Sequence, residues 1–250
     1  MGTPVNPGFV SAIVPTYNEA GCIDANVQKI VAYLAAKFYS FEVVVVDDGS
    51  TDNTPQQVAQ AAQREPRIKL IRFSANRGKG FAVREGVLRA QGDAVFFTDA
   101  DLSTPVEEIE KGLKALEEDY PVAMASRRHP ESIVCRYQSP AREGIGRLFN
   151  LVVRLLLSLP FHDTQCGFKC FTAAAGREIF SRARIDGFAF DVEMLVIARR
   201  LDYRVKEIPV HWTNAPESKV RPARHFLRVV GELSRIYRND RRGLYSRQAT

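Results

Sequence analysis

Ala94-Val95-Phe96-Phe97 spells a buried strand, and Thr98 leads from it into two acids spaced i, i+2, Asp99 and Asp101. In extended backbone that spacing points both carboxylates the same way. Side by side they repel, and burying them unpaired is costly. A divalent cation with oxygen ligands resolves the conflict. Asp99-Ala100-Asp101 thus has the chemistry of a Mg²⁺ or Mn²⁺ site that holds the diphosphate of a nucleotide sugar. The same residues also suit a solvated strand-end turn, because Ser103-Thr104-Pro105 turns the chain toward a helix starting at Val106. Other loops decide between the two readings. Pro15 and Tyr17 offer flat apolar faces to a nucleobase, and Glu19 can accept from a ribose hydroxyl. Asp48, or its neighbour Asp47, can accept from a base N–H, whereas Asp52 reads as a helix cap. Arg77 and Lys79 sit in the glycine loop Asn76-Arg77-Gly78-Lys79-Gly80, where backbone N–H groups, a helix dipole and two cations converge on an anion. A solvated basic turn is the plainer alternative there.

These residues need a frame. Phe9–Pro15 reads as a first strand, followed by a helix to about Lys37. Phe41–Val46 is the near-continuous β-branched run of a strand covered on both faces. Strands at Ile68–Arg72, Ala94–Thr98 and Val122–Ser126 alternate with helices entering at Pro55, Gly80 and Val106, which defines an α/β, mostly parallel sheet. Ligands bind beyond the carboxyl ends of such strands, and every loop named above falls there, as does Ser126–Arg128. Further on, His129–Ser139 is expected as a mobile loop. Ala141–Leu159 reads as a long helix with its polar residues Arg147, Asn150, Arg154 and Ser158 in one stripe. A strand near Phe168–Phe171, helices to about Ser181 and through Arg200, and a last strand at Val205–Val210 follow. The expected organisation is one domain over 1–215, with a nucleotide-sugar half (9–128) and an acceptor half (129–215), plus an amphipathic helical appendage over 216–250.

Hydrophobic content of 45% and charged content of 26% are those of an ordinary globular chain. The net charge of +6 invites an acidic partner. Cys22, Cys135, Cys166 and Cys170 are not spaced as a zinc site and read as reduced thiols of a cytosolic compartment. Met1–Gly8 is polar and reads as no signal peptide.

Taken together, Ile13–Glu19, Val45–Asp52, Asn76–Gly80 and Asp99–Asp101 resemble the family 2 glycosyltransferases, which have the GT-A fold. Asp163-Thr164-Gln165-Cys166-Gly167-Phe168-Lys169, Phe188–Glu193 and Pro216–Val220 look like the dolichyl-phosphate glucose synthase branch, with the dolichyl-phosphate mannose synthases as close relatives. The resemblance implies transfer of a hexose from a nucleotide diphosphate to a polyprenyl phosphate, with inversion at C1. UDP-glucose is the favoured donor and GDP-mannose its rival; a nucleotide-sugar binding module without turnover is the rival from another class. The implied nucleotide-sugar set is Pro15, Tyr17, Glu19, Asp47, Asp48, Arg77, Lys79, Asp99, Ala100, Asp101 and Gln165, with the cation on Asp99 and Asp101. Arg127, Arg128 and Arg142 suit the acceptor phosphate through bidentate contacts. That acceptor is a monoester whose second pKa is about 6, so it is already a nucleophile at neutral pH and needs little help from a base. Asp163 and Asp191 compete for a base or sugar-orienting role.

A polyprenyl phosphate stays in the bilayer, so the protein is expected to reach one. Between Arg221 and Arg242 lie seven arginines against two acids, a local charge of +5. Arg224, Arg228, Arg235, Arg238 and Arg242 share one helical face, the pattern of a helix lying on an anionic surface. The apolar helix Ile145–Leu159 is a second candidate, for bilayer contact or a homodimer seam. No nucleic-acid motif accompanies the charge, and no apolar run reaches the roughly 18 residues needed to span a bilayer. Peripheral attachment to the cytoplasmic face of a membrane follows, the plasma membrane in a prokaryote or the ER in a eukaryote.

Overall fold

The computed structural model describes residues 8–37, 40–136, 140–213 and 222–247. Strands β1 (Val10–Thr16), β2 (Phe41–Asp48), β3 (Ile68–Phe73) and β4 (Ala94–Thr98) alternate with helices α1 (Ile23–Lys37), α2 (Thr54–Arg64) and α3 (Lys79–Arg89). A single 3-10 turn, Val106–Glu108, precedes α4 (Ile109–Glu117) and β5 (Val122–Ser126), so the helix expected from Val106 begins three residues later. Then come β6 (Ile133–Arg136), α5 (Pro140–Leu157), β7 (Phe168–Thr172), α6 (Ala173–Arg182), α7 (Phe190–Arg200), β8 (Val205–Pro209), β9 (His211–Thr213) and α8 (Pro222–Arg241).

Seven strands form one sheet in the order β3-β2-β1-β4-β7-β5-β8. All neighbours are parallel except β7, which runs antiparallel between β4 and β5. Successive residues of the central strands feed opposite faces. Ile13, Val44, Val46 and Phe97 pack with α3, α6 and α7 on one side, while Val14, Val43, Val45 and Phe96 pack with α1 and α4 on the other. Covering on both faces is why β2 reads as an unbroken apolar run rather than an alternation. Helix α3 lies close on β1 because Gly86 has no side chain; a Cβ there would come 2.3 Å from Ile13 Cγ2. The strand order reverses at β1, with β2 on one side and β4 on the other, which opens a crevice beyond their carboxyl ends.

Four further expectations are corrected. Part of the loop expected over His129–Ser139 is β6, which pairs with β9 in a second, two-stranded sheet; residues 137–139 lie outside the described residues. The last strand is interrupted, ending as β8 at Pro209 and resuming as β9 at His211. In α5 the expected polar stripe fails at Asn150, which is buried beside Val153 and Leu157 and accepts a 3.0 Å hydrogen bond from Thr164 Oγ1. The outer face carries Leu151, Val152, Leu155 and Leu156 instead, with Leu155 at 75% exposure. Helix α8 is no appendage: Leu233, Ile236 and the following Tyr245 belong to the same core cluster as α7.

Candidate active site

The end of β4 is fastened before any ligand arrives. Leu102 takes a positive φ of 50° and its N–H donates back to the Asp99 carbonyl at 3.0 Å. Asn26 Nδ2 donates to the Ala100 carbonyl at 2.8 Å, and the Ser103 N–H donates to Asp101 Oδ1 at 2.9 Å. The turn therefore presents both acids in a fixed arrangement. Lys79 Nζ, from the start of α3, sits 2.5 Å from Asp99 Oδ1. Burial works against the Lys79 charge, but the Asp99, Asp191 and Asp101 carboxylates outweigh it and hold the ammonium above its ordinary pKa. Among the described residues Asp101 has no such partner in contact; burial and the neighbouring Asp99 charge push its carboxyl up. Gly167, in the turn before β7, packs on the same acid: a Cβ there would lie 2.0 Å from Asp99 Oδ2.

Among the described residues no group of three or more His, Cys, Asp or Glu is placed to enclose a metal ion. The fit to a cation is of another kind. Mg²⁺ and its analogues are held by one or two carboxylates completed by substrate phosphates, not by an all-protein cage. Two adjacent carboxylates, one of them left short of positive charge, match that donor set.

Two further ion pairs stand next to this centre. Arg127, which follows β5, clasps Asp163: its N–H and Nε donate to Oδ2 at 3.0 and 2.7 Å, and Nη2 donates to Oδ1 at 2.8 Å. Asp163 is wholly buried; burial opposes its charge, yet the Arg127 guanidinium holds its carboxyl below the usual range. The guanidinium also stacks on the Trp212 ring at 5.3 Å. Lys169 of β7 is wholly buried and donates to Asp191 Oδ1 at 2.5 Å and to the Cys166 carbonyl at 2.8 Å. Burial pushes the Asp191 carboxyl up, against the pull of Lys169 and Lys79.

The remaining expected residues divide. Asp48 does not stand open to a base. Its Oδ2 accepts from the Gly78 N–H at 2.7 Å and its Oδ1 from the Arg77 N–H at 3.0 Å. The backbone donors expected to meet a ligand anion thus meet the protein's own carboxylate, and burial still pushes Asp48 up. Arg77 turns away from Asp99; it stacks on Phe81 at 3.8 Å and pairs with Asp186 at 3.1 Å. Asp47 is buried and accepts from the Ser50 N–H at 3.3 Å, with Arg72 3.6 Å away. Asp52 accepts the Thr54 N–H at 2.9 Å where α2 begins, as a cap does. Tyr17 is 43% exposed at the mouth of the β1–β4 crevice, with Pro15 buried behind it and Glu19 part-buried at the start of the following turn. Gln165 is part-buried between Asp163 and Gly167. Arg128 is exposed and donates to the His162 carbonyl at 3.2 Å, on the rim. The Arg142 side chain and the motif at 216–220 lie outside the described residues. Sequence reasoning missed Lys169 as a partner of Asp191; a lysine inside the apolar run Phe168–Phe171 was the available signal.

The sheet order and the strand-end acids define a fold known from sugar-transferring enzymes. A glucosyl-3-phosphoglycerate synthase from Mycobacterium tuberculosis, solved in complex with UDP, superposes with a TM-score of 0.66 at 18% identity, covering 92% of this chain and 80% of that one. A mannosyltransferase from Pyrobaculum calidifontis, solved with GDP-Man and Mn²⁺, has a TM-score of 0.56 at 26% identity over 90% of this chain and 62% of that one. The family model for Glycosyl transferase family 2 matches residues 11–180, and the chain belongs to that family. Dolichyl-phosphate beta-glucosyltransferases of Saccharomyces cerevisiae and Homo sapiens are each 34% identical to it, each over 90% of this chain and 73% of their own length. One from Trichomonas vaginalis is 34% identical over 85% of this chain, which spans 66% of that relative.

The lowered Asp163 pKa fixes a sign. Its pair with Arg127 stabilises the fold above the unfolded carboxyl value of about 3.9 and loses that contribution as pH falls through the depressed folded value. Asp163→Asn is expected to cost about 3 kcal/mol at neutral pH and to flatten the acid limb of stability below about pH 4. Urea unfolding at stepped pH measures both; an unchanged midpoint and acid limb would show that the pair does not hold this turn.

Proposed function

We propose that this protein is a metal-dependent, inverting hexosyltransferase that moves glucose from UDP-glucose to a polyprenyl, dolichyl-type phosphate. The observation that carries the acceptor is that both candidate bases are spent. Asp163 is clasped by Arg127 and Asp191 by Lys169, each inside a buried ion pair. A hydroxyl acceptor would need a free base; a phosphate monoester, dianionic at neutral pH, does not. Relatives named for glucosyl transfer to dolichyl phosphate support the same acceptor and favour glucose.

Each residue then has a task. Asp99 and Asp101 would hold the cation, Mg²⁺ or Mn²⁺, which supplies charge stabilisation to the departing diphosphate. Lys79 adds a fixed positive charge beside it. Tyr17 and Pro15 offer the nucleobase a surface. Asp163 is a positioning residue that aims Arg127, and Arg127, with Arg128 at the rim, receives the acceptor phosphate. Asp191, within electrostatic reach of Lys79, would orient a sugar hydroxyl. A phosphate oxygen of the acceptor forms the new bond at C1, the bond from C1 to the diphosphate oxygen breaks with its electron pair, and the nucleoside diphosphate leaves from the opposite face.

The membrane side has its own support. No described helix is long and apolar enough to cross a bilayer. Helix α5 turns Leu151, Val152, Leu155 and Leu156 outward, and it neighbours α8, whose Arg228, Arg235 and Arg238 are exposed with Val230 and Tyr237. An apolar face beside a basic helix fits peripheral contact with an anionic surface.

Transfer from labelled nucleotide sugars to a short polyprenyl phosphate in detergent is expected to give lipid-soluble label from UDP-glucose and none in EDTA. Label from GDP-mannose instead would overturn the donor, and none from any donor would overturn the reading. Leu155→Asp is expected to weaken association with anionic vesicles by about tenfold, because a charge replaces an apolar contact, while leaving transfer to a detergent-solubilised acceptor intact; unchanged sedimentation would remove α5 from the membrane face.

A further inference from the structure

Helix α8 carries an acid where its apolar stripe should continue. Glu232 lies between Val229 and Leu233 on the packed side and is buried, with 6% exposure. A carboxylate in that setting is costly unless its oxygens are used. Oε2 accepts the Ala189 N–H at 3.0 Å, and Oε1 accepts from Arg228 Nε at 3.2 Å. Ala189 is the residue that opens α7, and it has no side-chain cap of its own. Glu232 therefore does from another helix what the N3 acid of a capping box does locally, accepting the N–H of the N-cap residue. Gly187 is cut to fit: a Cβ there would lie 1.9 Å from Glu232 Oε1.

The other side of the same turn carries the start of α3. A Cβ on Gly78 would lie 2.3 Å from the Asp186 carbonyl oxygen, and one on Gly80 2.5 Å from Phe190 Cβ. The Phe81 N–H donates to the Asp186 carbonyl at 3.1 Å, and Arg84 pairs with Asp186 at 2.7 Å. Lys79 leaves this contact for Asp99, and Asp191 leaves the turn for Lys169. Both side chains at the centre of the site are thus mounted on a turn that Glu232 holds from behind.

We infer that Glu232 is a positioning residue for the donor half of the site: through the Gly187–Ala189 turn it sets Lys79 against Asp99 and Asp191 against Lys169. The inference rests on reading those four residues as the donor site. It links the basic helix to that site through one buried carboxylate. The Arg199 and Arg200 pairs with Asp240, farther along α8, anchor the helix without touching the turn.

The test compares Glu232→Ala, Glu232→Gln, Gly187→Ala and Asp240→Asn with the full wild-type chain. Amide hydrogen exchange, thermal midpoint, and kcat and KM for UDP-glucose are measured. Glu232→Ala is expected to speed exchange at Phe81 and Ala189 more than at the β1 and β2 amides and to raise KM about tenfold. Glu232→Gln, whose amide oxygen still accepts the Ala189 N–H, should restore KM to near the wild-type value. Gly187→Ala should reproduce the Glu232→Ala phenotype, and it decides the question if Glu232→Ala does not fold. Asp240→Asn should lower the midpoint with KM unchanged. A Glu232→Ala protein that matches Asp240→Asn, less stable with even exchange and unaltered KM, would overturn the inference. If the wild type does not use UDP-glucose, the donor reading fails, and the local exchange at Phe81 and Ala189 still decides the role of Glu232.

Discussion

Carboxylates crowded at the carboxyl ends of buried strands must be matched by cations, and this constraint organises the protein. Asp99, Asp101, Asp163 and Asp191 come together beyond the end of β4, Asp163 and Asp191 buried and Asp99 and Asp101 part-buried. Lys79, Lys169 and Arg127 answer three of them directly. Each cation arrives on a different element: α3, β7 and the turn after β5. The antiparallel β7 makes this possible, because running against its neighbours it brings Lys169 into register with Phe97 and the turn Asp163–Gly167 to the Asp99 side. Among the described residues Asp101 is the acid without a cation in contact, a deficit that would suit a divalent ion.

The same constraint separates positioning from chemistry. Buried pairs contribute little net stability against an apolar replacement, yet losing one partner is costly. Their use here is geometric. Asp163 fixes the plane of a guanidinium, and Asp48 fixes the backbone that delivers Lys79. An acceptor that brings its own negative charge then needs only to be received and aimed.

Local chemistry in the sequence revealed the strand-end acids, since a buried apolar run followed by Asp-x-Asp is a short-range pattern. The alternating first half was legible for the same reason. What escaped were pairings across distance. Asp191 and Lys169 are 22 residues apart and meet only when β7 and α7 pack. Asp48 offered itself as a ligand because nothing local shows that Arg77 and Gly78 would claim it. In α5 the expected polar stripe included Asn150, but its amide oxygen is satisfied inside by Thr164, and apolar residues are plentiful enough to fill the outer face as well. In α8 an acid on an apolar stripe was visible but was counted only as charge. Strand β6 is four residues long with Ile133 half exposed, so it carries little of the burial pattern that marks a strand.

On the proposed reading, Asp99 and Asp101 would supply half of a cation site and a substrate's diphosphate the rest. Mn²⁺ binding followed by electron paramagnetic resonance, with and without UDP, tests it most directly. Weak binding alone, tightened at least tenfold by UDP and abolished in Asp101→Asn, is the predicted result. Equally tight binding without UDP, or tight binding that survives Asp101→Asn, would contradict it.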